Sequence, residues 1–199
     1  MNINVDISNV KLKTKRLILR PFETDDVYDL YEYAKVEGVG ERAGWVHHKD
    51  IDESLSILNM FIAGKRTFAI VLKEENKVIG SLGLEEYDEK LLPEFADLKG
   101  LEIGYVIGKD YWGRGLVPEA VRAVLSYCFD VLMLDFLCLG YFDYNTQSKR
   151  VNEKSGFEFV IHRSFKTRYG TNEEGVLTML TRDNYHKKLK EGFYDNKSF

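Results

Sequence analysis

Cysteine, proline and histidine are scarce in this chain: two, three and four among 199 residues. Cys128 and Cys138 each sit in an apolar segment, so they are expected as buried free thiols and no disulfide framework is available. His47 and His48 are adjacent rather than a helical turn apart, and no carboxylate–histidine motif surrounds them, so no metal site is expected. The prolines do not gather into a linker, and no internal repeat or low-complexity tract interrupts the chain. Long apolar runs are missing as well. None approaches the ~18 residues of a membrane helix, and residues 1–10 contain Asp6 and no apolar stretch of the kind a secretory signal carries. Charge of one sign is not in great excess either. A net charge of −4 and a pI near 5.7 argue against nonspecific nucleic-acid binding as the main task. The expected class is a cytoplasmic enzyme or binding protein, with no membrane and no nucleic-acid partner.

What is present suits one folded domain: 44% of residues are hydrophobic and 30% charged, and the length allows a substantial core. Residues 15–22 (KRLILRPF) alternate as a first strand. Thr24 is placed to cap the following helix, whose apolar positions Val27, Leu30, Tyr31 and Ala34 recur at helical spacing before Gly38. Residues 38–49 form a loop with three glycines, Trp45 and the histidine pair. A second helix covers 50–63. Strands at 67–72 and 77–87 flank a polar turn and read as a hairpin, so the sheet is partly antiparallel. After a polar excursion at 88–100 come a strand at 136–141, a helix from Asn145 that stops at Gly156, and a strand at 157–161. Residues 162–174 read as a loop or an extended hairpin turn, 175–181 as a last strand and 183–199 as a terminal helix with a polar tail.

Between these lies the stretch 101–131 (LEIGYVIGKDYWGRGLVPEAVRAVLSYCFDV). It reads as strand, glycine loop and helix. Glycines let backbone approach a ligand closely, and a helix N-terminus offers orphan N–H groups and partial positive charge to a phosphate. Pro118 suits the first turn. On these residues alone two readings stand: a pyrophosphate cradle, or a tight strand-to-helix turn that binds nothing.

Two motifs, on the right elements and in the right order, resemble those of the GNAT superfamily of N-acetyltransferases. Residues 104–120 (GYVIGKDYWGRGLVPEA) resemble its pyrophosphate loop and following helix. Residues 145–157 (NTQSKRVNEKSGF) resemble the Asn-x-x-Ser helix of its ribosomal-protein-alanine N-terminal acetyltransferase branch, and KRLILRPFETDD at 15–26 is similar to that branch's first strand and helix start. The superfamily pattern Gln/Arg-x-x-Gly-x-Gly/Ala is departed from twice, by Trp112 and by the bulkier Val117. The resemblance implies a mixed α/β fold: a single N-acetyltransferase domain over 1–199, with its core at about 12–181. Its central sheet would have about seven strands, mixed but mostly antiparallel, flanked by helices. It also implies acetyl-coenzyme A as cosubstrate.

Acetyl transfer from a thioester to an amine then assigns roles to residues. By the resemblance, Trp112, Gly113, Arg114, Gly115, Leu116 and Val117 surround the cofactor's phosphates, and its pantetheine arm pairs with the splayed strand at Tyr105, Val106 and Ile107. A main-chain N–H of that strand would serve the oxyanion. Glu102, at the start of the strand, is the candidate base; otherwise it is a solvated strand-end carboxylate. Ser148 aligns with the serine this branch places near the sulfur; otherwise it bonds the Asn145 cap. Tyr144 is the reserve acid. Asn145 caps its helix, bonds the pantetheine, or both, and Lys154 and Arg150 either reach the adenosine phosphates or are simply solvated on the helix. Trp45 with the histidine pair shapes acceptor choice or packs the loop down.

A methyltransferase and a phosphate-loop NTPase are the rival enzymes. The first lacks alternate glycines after Glu102, and the second lacks a Gly-Lys-Ser/Thr sequence. A non-enzymatic acetyl-coenzyme A-binding protein is the rival from another class, and the presence of both Glu102 and Ser148 speaks for the enzyme. The acceptor expected by resemblance is a peptide N-terminal α-amine, attacked directly in a ternary complex. A small amine such as an aminoglycoside, polyamine or amino acid is the alternative. A homodimer would form through the last strand or the 183–199 tail.

Overall fold

The structure, a computed structural model, describes residues 1–195; the end of the expected tail, 196–199, lies outside them. Its elements are β1 (Leu12–Lys13), β2 (Leu17–Pro21), α1 (Val27–Ala34), α2 (Ile51–Gly64), β3 (Thr67–Leu72), β4 (Lys77–Glu85), β5 (Gly100–Ile107), α3 (Leu116–Ser126), β6 (Phe136–Phe142), α4 (Thr146–Ser155), β7 (Glu158–Lys166), β8 (Asn172–Thr181) and α5 (Arg182–Lys190). Eight strands form one sheet in the order β1-β2-β3-β4-β5-β6-β8-β7. Only β5 and β6 run parallel; the other neighbours are antiparallel. The mixed, mostly antiparallel sheet flanked by helices is the expected class. Its count is eight rather than about seven, because β1 is a two-residue strand whose side chains carry no readable alternation.

β3 shows why the sheet is covered on both sides. All six of its residues are buried. Phe68, Ile70 and Leu72 point into a cluster with Ala120, Val121, Val124 and Leu125 of α3, while Ala69 and Val71 meet Leu30, Tyr33 and Ala34 of α1 and Leu58 of α2. A continuous apolar run serves both faces because successive side chains alternate. Each fully buried aliphatic or aromatic side chain contributes about 1.5–3 kcal/mol. Tyr185 of α5 and Tyr194 complete the α3 side. Cys128 and Cys138 are buried free thiols, and burial pushes the Cys138 thiol up to about 12.

One local expectation changes, and one open alternative is decided. Thr24 does not cap the first helix: it opens a 3-10 turn over 24–26 that leads into α1, and the capping pair there is Glu23 and Asp26, whose carboxylate accepts from Glu23 N–H at 2.7 Å and from Arg20 at 2.7 and 2.8 Å. Of the two readings of 162–174, the extended hairpin is the one found. β7 runs on to Lys166 and β8 begins at Asn172. The polar composition there reflects the edge position of β7, most of whose residues are exposed.

The site is positioned by a fault in the sheet. β5 pairs with β6 only from Gly100↔Phe136 to Ile103↔Leu139. Beyond that point β5 stays with β4 as far as Ile107, whereas β6 stays with β8 as far as Phe142. The two strands diverge and leave a V-shaped cleft.

Candidate active site

The cleft is a cavity of about 410 Å³ lined by β5, the loop after it, the starts of α3 and α4, and β6. That volume is within the ~300–1,000 Å³ of small-molecule sites. Alternation along β5 decides what each face of the cleft presents. Ile103 and Tyr105 belong to the α3 side, Val106 to the α1–α2 side. Glu102 and Gly104 therefore share the face of Val106. From Gly104 to Ile107 the β5 edge turned toward β6 has no strand partner among the described residues, which leaves main-chain groups for an extended amide-bearing arm.

The glycine loop is shaped for close approach. Gly113 has φ +74° and Gly115, which caps α3, has φ +72°. A Cβ at Gly113 would meet nothing within 4 Å, so that position is open. The amides of Leu116 and Val117 lie in the first turn, where no carbonyl precedes them. Trp112 does not spend its indole N–H on a ligand; it donates to Ile107 O at 2.9 Å and ties the loop to β5. Val117 is 7% exposed and packs in the main core, which takes up its extra bulk. The Arg114 guanidinium stands 5.4 Å over the Tyr111 ring and does not line the cavity, whereas Arg150 and Lys154 do. Glu119, the acidic residue of the first turn, is drawn away by Thr14 Oγ at 2.6 Å and by Arg16 N and Nε at 2.8 and 2.7 Å. Arg16 also donates to Arg114 O at 2.9 Å. An open glycine turn, a helix N-terminus with its carboxylate neutralised and an unpaired strand edge fit the diphosphate and pantetheine of coenzyme A.

The start of α4 closes the cofactor face. Asn145 caps the helix by accepting from Ser148 N–H at 3.2 Å, and its Nδ2 donates to Arg42 O at 3.2 Å. Ser148 is buried, and its Oγ lies 2.8 Å from the Tyr105 hydroxyl across the cleft. Burial pushes the Tyr105 phenol well up, so it stays neutral. Tyr144 is half exposed and directs its hydroxyl to Glu41 O at 3.3 Å; it does not line the cavity.

On the opposite face Glu102 lines the cavity with 18% of its side chain exposed and accepts from Arg163 Nη1 at 3.5 Å. Burial raises its carboxyl above the usual range, Arg163 opposes that, and Asp88 and Glu85 add to it. The loop at 38–49 leans over the same end, but Val39, Arg42 and Ala43 are the residues that reach the cavity. Trp45 fills the space beside Gly40, His48 Nδ1 bonds Ser54 Oγ at 2.7 Å and His47 Nδ1 bonds Glu41 at 2.8 Å. Those three pack the loop down. Arg42 lies 5.0 Å over Trp112 and 3.5 Å from Asn145 Oδ1. Sequence reading missed Arg42, the Tyr105 hydroxyl, Arg163 and Phe165, because no motif links residues that meet only across the sheet.

Comparison with known proteins agrees with this geometry. The sequence profile of the acetyltransferase (GNAT) domain matches residues 16–158. An uncharacterized N-acetyltransferase of Bacillus licheniformis, p20, is 30% identical over 129 residues, covering 62% of this chain and 68% of that protein. The ribosomal-protein-S5-alanine acetyltransferase of Vibrio fischeri shares the fold at TM-score 0.66 and 18% identity, over 89% of this chain and 99% of that one. The spermidine N-acetyltransferase of Vibrio cholerae, solved in complex with CoA and spermine, does so at TM-score 0.70 and 19% identity, over 87% and 99%. With the profile running from β2 through α4 over a cleft that fits coenzyme A, the chain belongs to the GNAT acetyltransferase family and is an acetyl-coenzyme A-dependent acetyltransferase.

Proposed function

We propose that the acceptor is the α-amine of a peptide N-terminus, of the kind on a ribosomal protein, and that Glu102 and Ser148 serve the transfer. The observation that carries this is the placement of Glu102 on one face of the diverging strands and the Tyr105–Ser148 pair on the other. Acetyl-coenzyme A supplies an acyl carbon activated as a thioester. Glu102, as carboxylate, takes the proton of the entering amine directly or through a water. An α-amine has a pKa of about 8, so near neutrality most of it is protonated and must lose a proton before it attacks. The Ser148 hydroxyl, oriented by Tyr105 and by the Asn145 cap, donates toward the departing sulfur. Gly113, Gly115, Leu116 and Val117 hold the diphosphate, with Arg114 and Trp112 beside it. Tyr105, Val106 and Ile107 hold the pantetheine through their main chain, and Asn145 and Lys154 lie along the same path. We take the chain from 1 to 199 as one acetyltransferase unit. The last strand, β8, is paired on both edges by β6 and β7 and offers no edge to a second copy, so a homodimer would use the C-terminal tail instead.

A small cationic amine is the second reading. It draws on Glu85, which lies directly opposite Glu102 in the β4–β5 register and would favour a polyamine. Steady-state rates on a panel of N-terminal peptides, polyamines and an aminoglycoside decide between them. Glu102→Gln and Ser148→Ala should each lower kcat, by ~10²-fold or more for the base, with little change in the KM for acetyl-coenzyme A. Full activity in both variants would remove the assigned roles, and turnover confined to polyamines would remove the peptide reading.

A further inference from the structure

Arg163 does not itself line the cavity but touches two residues that do, Glu102 and Phe165, from the far edge of the sheet. It sits on β7, with β8 and β6 between it and β5. Two glycines make the route passable. A Cβ at Gly140 would lie 2.8 Å from the Phe165 ring and 3.3 Å from Glu102 Oε1, and one at Gly175 would lie 2.8 Å from Phe165. Across that gap Phe165 lies down on the sheet, braced edge-on by Phe142 at 5.5 Å, and lines the cavity beside Glu102. The Arg163 guanidinium stacks 4.0 Å over the Phe165 ring, which fixes its plane.

This guanidinium has more donors than partners. Its one hydrogen bond among the described residues is the 3.5 Å contact to Glu102, out of five N–H groups. Its side chain is 19% exposed and none of its nitrogens is a buried atom without a partner, so the remaining N–H groups are open to solvent or to a ligand. Glu85 and Glu86 are served by other arginines: Arg66 is 3.6 Å from Glu86, and Arg66 and Arg168 both act on Glu85.

We propose that Arg163 is a specificity-determining residue of the acceptor site, reading an oxygen on the carbon attached to the amine-bearing carbon. The inference rests on Glu102 receiving the amine, as proposed above. An amine at Glu102 that carries a neighbouring carbonyl or carboxylate places that oxygen three bonds from its nitrogen, beside the unspent N–H groups of Arg163. Peptide N-termini and free α-amino acids have such an oxygen. An alkyl diamine has none, and its second ammonium is repelled by the guanidinium.

The test measures initial rates of the wild type, Arg163→Met and Arg163→Lys at saturating acetyl-coenzyme A. The acceptors are an alanine-leading peptide, free alanine and 1,4-diaminobutane. The wild type should prefer the α-amines, and the Met variant should lose at least about tenfold of that preference. The loss should fall in the KM for the acceptor and not in that for acetyl-coenzyme A, whose thermal stabilisation of each variant reports the fold. The Lys variant, a point charge without the planar fork, should recover part of the preference, and it carries the test should the Met variant not fold. The peptide and alanine arms separate a carbonyl from a carboxylate as the group read. An unchanged preference in both variants overturns the role of Arg163 and leaves the peptide reading standing. A wild type that prefers the diamine, or acetylates none of the three, overturns both.

Discussion

Glu102 joins the two properties that a base in this cleft needs, a low-dielectric setting and a nearby cation. Burial disfavours its charged form and Arg163 partly restores it. With Glu102 as the proposed base, only its carboxylate can take a proton, so activity should fall as pH drops through a pKa that lies above the ordinary glutamate range. The acid limb of kcat/KM should therefore sit above that range. Glu102→Gln should remove this limb and leave the rise that belongs to the acceptor's own amine, near pH 8 for an α-amine. Arg163→Met should move the limb further up, because the opposing charge is gone. A pH–rate profile from pH 5 to 9 on the three proteins measures this, and a limb that stays in place in the Gln variant would assign it to another group.

Among the elements, the loop at 38–49 shows how one carboxylate can hold a segment. Burial works against the charge of Glu41, but bonds from the His47 ring, the His47 amide and the Gly38 amide bring its pKa down to about 2. A carboxyl depressed in the fold contributes stability above its unfolded pKa and loses it as pH falls toward the folded value. The loop should thus loosen between the ordinary carboxylate range and about pH 2. Trp45 reports on it: its fluorescence should change over that interval in the wild type and already differ at neutral pH in Glu41→Ala. Loosening would free Arg42, which connects the loop to Trp112 and Asn145. A flat wild-type signal down to pH 2.5 would mean that Trp45 and His48 hold the loop without Glu41.

For the whole molecule, the diverging strands make cofactor binding and stability one quantity. The unpaired length of β5 and the open glycine turn belong to the folded state alone, so acetyl-coenzyme A binds the fold and not the unfolded chain. At a hundred times its Kd it should add about 2.7 kcal/mol, or about 5–10 °C in Tm for a chain of this size. Gly113→Val should lower the ligand-free Tm modestly, because a left-handed φ of +74° strains a β-branched residue by ~1–2 kcal/mol, and should abolish most of the ligand shift. A Val variant that keeps the full shift would place the diphosphate elsewhere.

The sequence by itself determined what local rules govern. Strand alternation, the Asn145 cap, the glycine loop before Pro118 and the order of the elements all follow from side-chain periodicity and turn chemistry within a few residues, and the two motifs at 104–120 and 145–157 lie on those elements. The two-residue strand β1 escaped, and the far half of the edge strand β7, beyond residue 161, stayed open, because a two-residue pairing has no period and an edge position leaves polar side chains where burial would have demanded apolar ones. Tertiary structure alone decided which groups meet. The parting of β5 from β6 depends on each strand's other neighbour. Tyr105 finds Ser148, Arg42 finds Asn145 and Arg163 finds Glu102 over 43, 103 and 61 residues of chain. These contacts depend on the fold of the whole sheet, where a side chain absent at Gly140 or Gly175 matters as much as one that is present.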